Sequence, residues 1–219
     1  MAIASGSRTI VFDLDDTLYA EADYVLSGKN ALRELLTKIY RRKIDPSVFD
    51  EADFIAALCR ELGLPSSAAQ TMIWHYRLHE PKIALRAGAA ALIEHLRARG
   101  DRICIITDGR SVTQRLKILA LGLDVDGVYI SEEVGAEKPD PSAFVLVERD
   151  WPAESYVYVA DNVAKDFIAA RARRWISVGI RADSRAIYGA NPLLSGAVMP
   201  DLWADDFHSI SKILLSDGE

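Results

Sequence analysis

Residues 8–20 read RTIVFDLDDTLYA, and their first half decides the fold. Arg8 to Phe12 is apolar at successive positions and then stops abruptly at Asp13. An unbroken apolar run suits a strand buried on both faces, as in a parallel sheet. Similar runs recur at Arg102–Thr107 (RICIIT), Val125–Ser131 (VDGVYIS), Ser155–Ala160 (SYVYVA) and Trp175–Ile180 (WISVGI). Helical patterns lie between them. Ala87–Arg99 is rich in Ala and Leu and ends at Gly100, where glycine suits the left-handed residue after a helix. Ser111-Val-Thr-Gln114 has the form of a capping box opening a helix through Leu121, and Val163–Arg174 supplies another. Strand then helix, repeated, predicts an α/β fold on a right-handed, doubly wound parallel sheet.

One stretch breaks the rhythm. From Tyr19 to Leu85 the pattern is helix after helix: Asn30–Tyr40, Pro46–Leu62 and Ser66–His79, with Pro46, Pro65 and Pro81 at the joints. Residues 19–85 hold nine basic and nine acidic side chains, so the rest of the chain carries the whole net charge of -6. The expected organisation is a core of residues 1–18 and 86–219 with a helical insertion at 19–85. The last thirty residues are weakly patterned and are read as a short strand or turn followed by a helix over Ser209–Leu215.

At 219 residues, 50% hydrophobic and 26% charged, the composition is globular. A chain of this length buries roughly 70% of its unfolded surface, enough for a core without disulfides or metal staples. An acidic protein repels phosphate backbones unless it concentrates its basic residues. The basic clusters here are short (Arg41-Arg42-Lys43 and Arg171–Arg174), so nucleic acid is excluded as a first reading. Cys59 and Cys104 lie far apart in apolar surroundings and read as buried free thiols. No apolar run approaches the roughly 20 residues that span a bilayer. MAIASGSRTIVF lacks a basic stretch leading into a long apolar one, so a cytoplasmic protein is expected.

Ligands of open α/β sheets sit at the carboxyl ends of the strands. There the first strand delivers Asp13, Asp15, Asp16 and Thr17, and the second delivers Thr107-Asp108-Gly109. Glu137-Lys138-Pro139 follows the third, and Asp161-Asn162 ends the fourth, with Asp166 five residues on. Clustered carboxylates are stable together only with a cation or shared protons. Magnesium fits, because it accepts one or two carboxylates and leaves positions for water and phosphate. A carboxylate beside it can attack phosphorus, and a second carboxyl can protonate the leaving oxygen and then deprotonate water. Lysine and threonine can hold the phosphoryl oxygens. This is a kit for phosphoryl transfer.

FDLDDTLY at 12–19, IITDG at 105–109, EKPDP at 137–141 and ADNVAKD at 160–166 resemble the four motifs of the haloacid dehalogenase (HAD) superfamily, phosphatase type with an α-helical cap. They come in the family's order, with steps of 94, 31 and 23 residues from Asp13 through Thr107 and Lys138 to Asp161. The resemblance implies roles. Asp13 would be nucleophile and magnesium ligand. Asp15 would be general acid/base, its backbone carbonyl also touching the metal. Thr107 would hold the phosphoryl group with backbone N–H groups around Asp108 and Gly109, and Lys138 would bind both a phosphoryl oxygen and Asp13. Asp161 would be the other metal ligand, with Asp166 acting from behind and Asn162 assisting. Ala160 stands where many members carry glycine, a change that one methyl permits unless φ is positive there. The acid at Asp15 separates phosphatases of this kind from the namesake dehalogenases. TDG together with DNVAKDF is similar to acylneuraminate 9-phosphatase-like sugar phosphatases. The implied activity is a Mg2+-dependent phosphomonoesterase acting on a small phosphorylated metabolite, sugar phosphate before nucleotide, as monomer or homodimer.

Other readings share part of the pattern. A phosphomutase-type transferase would use the same residues. A receiver-like signalling domain pairs acids with Thr and Lys, but its phosphoacceptor does not belong on the first strand. A glycosyltransferase presents Asp-x-Asp to a nucleotide sugar, without the matching Thr and Lys. Asp16 and Arg110 read as structural and solvated residues, and Trp74–His79 as a helix whose apolar side enters the helical core.

Overall fold

Every residue of β1 (Arg8–Phe12) is buried in the computed structural model, which describes residues 7–181 and 198–215. The chain divides into two compact units, Met1–Ala22 with Ala84–Glu219 and Asp23–Ile83. Helix α1 (Glu21–Tyr40) starts nine residues ahead of the expected Asn30. Gly28 weakens the helical signal there. The glycine stays because a Cβ at this position would lie 2.6 Å from the Tyr76 ring. The helix expected over Pro46–Leu62 is broken in two. A 3-10 helix at Pro46–Asp50 follows the Asp45 cap, and Asp53 then opens α2 (Phe54–Leu62), its Oδ1 accepting from Ala56 N at 3.0 Å. A second short 3-10 turn, Ser66–Ala68, leads into α3 (Ala69–Leu78).

Leu32, Leu36, Phe49, Leu58 and Met72 form the core of this helical unit. From the Trp74–His79 stretch, His79 is buried on Ser27 Oγ at 3.0 Å, and the Tyr76 ring lies 5.4 Å from that of Phe54. Trp74 is exposed instead of packed.

In the other unit, α4 (Ala89–Ala98) leads to β2 (Arg102–Thr107), α5 (Ser111–Ala120) and β3 (Gly127–Ile130). Two helices absent from the sequence reading, α6 (Ser131–Val134) and α7 (Ser142–Asp150), precede β4 (Ser155–Ala160). Then come α8 (Asp166–Ala172), β5 (Ile176–Ile180), β6 (Leu202–Ala204) and α9 (Phe207–Leu215). Part of the weakly patterned C-terminal stretch, 190–197 and 216–219, lies outside the described residues.

The sheet order is β3-β2-β1-β4-β5-β6, and every pairing is parallel. This is the doubly wound α/β architecture, with β1 in the centre. Val11, Ile106, Phe144, Tyr158, Phe167 and Trp175 belong to one core cluster between sheet and helices. Each such side chain stabilises the fold by about 1.5–3 kcal/mol on burial. The chain leaves β1 toward β2 and β3, then crosses to β4 on the other side, so the topological switch lies between β1 and β4, where ligands of such sheets bind. Phe12 pairs with Ile105 and Val159. Asp13 therefore emerges one residue past that level, while Thr107 and Asp161 lie two past it, on either side.

The capping box at Ser111 does not form. Ser111 N–H and Oγ are taken by Glu132 and Glu133 of α6, and α5 starts with no side-chain cap. Both cysteines are free and buried. No helix among the described residues is long and apolar enough to cross a membrane.

Candidate active site

Asp13 follows the most buried strand of the sheet, and its carboxylate meets Lys138 from beyond β3, Asp161 and Asp166 from beyond β4, and Thr17 of its own loop. Lys138 Nζ donates to Asp13 Oδ1 at 2.6 Å and lies 2.7 Å from Asp166 Oδ1 and 3.2 Å from Tyr158 OH. On the other oxygen, Thr17 Oγ1 sits 3.1 Å from Asp13 Oδ2 and 3.2 Å from Asp161 Oδ1. One hydroxyl proton serves only one of these carboxylates at a time. Oxygens of Asp13, Asp161 and Asp166 lie within 4.8 Å of one another, and all three residues are buried.

Burial raises Asp13 to about 6, the Lys138 ammonium opposing and Asp166 adding to the rise. Asp161 is pushed up to about 8 by burial and by the charges of Asp13 and Asp166. Burial disfavours the charge of Lys138, but Asp13 and Asp166 outweigh it and hold the ammonium well above its usual range. The cluster of Asp13, Asp161 and Asp166 thus carries more negative charge than Lys138 balances, the condition that a bound cation relieves. The donors are all hard oxygens, which suits magnesium or calcium and does not suit a thiophilic metal. The residues therefore fit a hard divalent cation.

The remaining residues frame this centre. Thr107 is buried and accepts from Gln114 Nε2 at 2.7 Å. The Asp108 carboxylate accepts from Lys138 N at 3.0 Å and from Lys165 Nζ at 2.6 Å, and so fixes the Lys138 backbone. The Gly109 N–H donates to Ser131 Oγ at 2.9 Å. Asp166 Oδ2 accepts from Asn162 N at 2.9 Å, closing the turn that carries Asp161. Asp16, with φ 55, accepts from Glu21 N at 2.9 Å and through its carbonyl from Arg86, and it also lines the cavity with Asp13 and Asp15. Ala160 is not among the described residues with positive φ, so its methyl is accommodated.

Asp15 is held most firmly of all. Its Oδ1 accepts from Lys117 Nζ at 2.7 Å and from Tyr19 OH, and its Oδ2 accepts from Gln114 Nε2 at 2.8 Å. Asp13, Asp15, Thr107, Asp108, Gly109, Asp161, Asn162 and Asp166 all line one cavity of about 240 Å3, with Glu21 and Lys165 beside them. Sequence reasoning missed the roles of Thr17, Lys165, Gln114 and Lys117. Nothing local marks them: polar residues three apart on a helix, such as Gln114 and Lys117, read as a solvated face.

The family model of the haloacid dehalogenase-like hydrolases matches residues 7–172. The chain belongs to the haloacid dehalogenase-like hydrolases. Among curated relatives of this hydrolase, the glyceraldehyde 3-phosphate phosphatase of Methanopyrus kandleri is 28% identical over 80% of this chain and 84% of that one. The glyceraldehyde 3-phosphate phosphatase of Methanocaldococcus jannaschii is 30% identical over 79% and 84%. The HAD-hydrolase YfnB of Bacillus subtilis, solved bound to magnesium, matches with a TM-score of 0.67 over 95% of this chain and 98% of that one. At 18% identity this is a likeness of fold.

Proposed function

We propose that this hydrolase is a phosphomonoesterase that cleaves a small phosphorylated metabolite, a sugar phosphate, through a phosphoaspartate on Asp13. The observation that carries the reading is the 2.6 Å contact between Lys138 and Asp13 beside the three-carboxylate cluster, at the switch point of the sheet. The two archaeal relatives are named for an activity on a triose phosphate, which supports the sugar-phosphate class. Mg2+ is the proposed cation, held by Asp13 and Asp161 with the Asp15 backbone carbonyl. When bound, it supplies neutralisation of the phosphoryl charge.

The chain's own groups do the rest. Asp13 attacks phosphorus as the ester P–O bond breaks, and the departing alcohol oxygen takes a proton from Asp15. Lys138 and Thr107 hold phosphoryl oxygens and keep Asp13 oriented. Asp15 then takes a proton from water, whose oxygen attacks phosphorus. The Asp13–phosphorus bond breaks, phosphate leaves, and Asp15 is protonated again. Asp166 and Asn162 hold the loop of Asp161 from behind. The core residues are committed to the phosphoryl group, so we assign choice of the alcohol to the helical insertion, acting as a cap.

Phosphate release from a panel of sugar phosphates and nucleotides, with and without Mg2+, tests this. Turnover should need the metal and fall by at least about 10³-fold in Asp13→Asn. Acid quenching of wild type with labelled substrate should trap a phosphoprotein absent from the variant. Undiminished turnover in clean Asp13→Asn protein would remove Asp13 from the mechanism.

A further inference from the structure

Helix α5 reaches into the active site with two side chains from one face. Gln114 and Lys117 stand three residues apart, a spacing that places them side by side on a helix. Both are buried, at 2% and 3% relative exposure. A polar side chain on a surface helix normally turns outward, and burying an ammonium without an acceptor is costly. Here both long side chains run inward and end on one carboxylate, Asp15.

The arrangement divides the two oxygens of Asp15. Oδ1 accepts from the Lys117 ammonium at 2.7 Å and from the Tyr19 hydroxyl, which fills its two lone pairs. Oδ2 accepts from Gln114 Nε2 at 2.8 Å and keeps an acceptor position to spare. The same amide nitrogen donates its second hydrogen to Thr107 Oγ1 at 2.7 Å. One glutamine therefore fixes the distance between Asp15 and the hydroxyl assigned to the phosphoryl group. Gly109 makes room for it, because a Cβ there would lie 3.2 Å from the Gln114 side chain.

We infer that Gln114 and Lys117 are positioning residues for Asp15. They lock its carboxyl rotamer so that Oδ2 is the oxygen presented to the leaving group and later to water. The inference rests on the reading of Asp15 as general acid/base. It adds that this function depends on α5 and not on the loop of Asp15 alone.

A leaving-group comparison tests it. An alkyl phosphate needs a proton delivered to its departing oxygen, whereas a p-nitrophenyl phosphate leaves without one. kcat/KM covers the steps through release of the alcohol and so reports that difference. In Lys117→Met, kcat/KM for the alkyl ester should fall by roughly 10²-fold, the lower end of what acid catalysis contributes. The value for the aryl ester should fall by less than about fivefold, because it forgoes that contribution. In an Asp15→Asn background the Lys117→Met change should cost nothing further on either ester, since residues acting as a unit are not additive.

Equal losses on the two esters, or a full further loss in the Asp15→Asn background, would overturn the positioning role. If Asp15→Asn alone keeps alkyl turnover, it is the acid/base reading that fails. If Asp15→Asn selectively loses the alkyl ester while Lys117→Met behaves as wild type, only the present inference fails. Should Lys117→Met not fold, Gln114→Leu removes no charge; because it also frees Thr107, both esters should weaken in it, the alkyl ester by the larger factor. Failure of both to fold would show the two residues to be structural only, and would equally overturn the inference.

Discussion

Glu21 and Asp161 are both pushed up mainly by burial, Glu21 to about 7 and Asp161 to about 8. Neighbouring charges add to each: Asp13 and Asp166 to Asp161, and Asp15 to Glu21, where Lys117 opposes. A carboxyl whose folded pKa lies above its unfolded value stabilises the fold at low pH, and the benefit is lost as pH rises toward the folded value. Glu21→Gln should therefore leave Tm unchanged near pH 4 in metal-free protein and raise it at pH 8, once wild-type Glu21 is ionised in both states. A thermal melt series across that range checks the sign. At this scale the sequence made legible the residues that end strands. Asp13, Thr107, Lys138 and Asp161 stand out because a catalytic type interrupts or follows an apolar run. Gln114, Lys117 and Thr17 do not. Two of them sit in a helix where any polar residue reads as solvated, and their inward direction depends on tertiary packing.

Elements differ in how much of their start and end is written locally. Helix α2 is bounded by side-chain and backbone chemistry on both sides, with Asp53 capping its first turn and Gly63, at φ 66, ending it. Asp53→Ala should cost about 1 kcal/mol. Gly63→Ala should cost about 1–2 kcal/mol for a left-handed residue bearing a Cβ, both read from urea midpoints. That cap also explains why one expected helix became two segments: an Asp at position 53 restarts the helix after the 3-10 turn. Strands β1 to β5 were readable within two residues of their observed ends, because burial leaves an unbroken apolar signature, whereas the half-exposed β6 had no bounds in the sequence. Helices α6 and α7 were not. The four residues of α6 are too few to show a period, and the acidic pair Glu132-Glu133 reads as a loop until it is seen to hold Ser111 and Arg115.

Across the whole core unit, distant segments are tied by buried charge. Arg8 Nε donates to Asp101 Oδ1 at 2.8 Å, and Arg8 Nη1 to Leu214 O of α9 at 3.0 Å. Asp101→Asn leaves a buried guanidinium short of its counter-charge and should cost about 3–5 kcal/mol in denaturant melts. The paired change Arg8→Met with Asp101→Leu should cost less than either single change. Removing the proposed metal acts on the same scale. At a hundredfold excess over Kd, Mg2+ should contribute about 2.7 kcal/mol. EDTA should therefore lower Tm by several degrees in wild type and leave Asp161→Asn unaffected. The central place of β1 has a consequence for synthesis. Its first neighbour, β2, follows about ninety residues later, and its second, β4, later still. A ribosome has released about three-quarters of the chain, through Asp166, before Asp13 has all its partners. Such long closures slow folding. The emerging chain thus carries an aspartate with no lysine to face and a strand with both edges open, and every copy passes through that interval before it can turn over a single substrate.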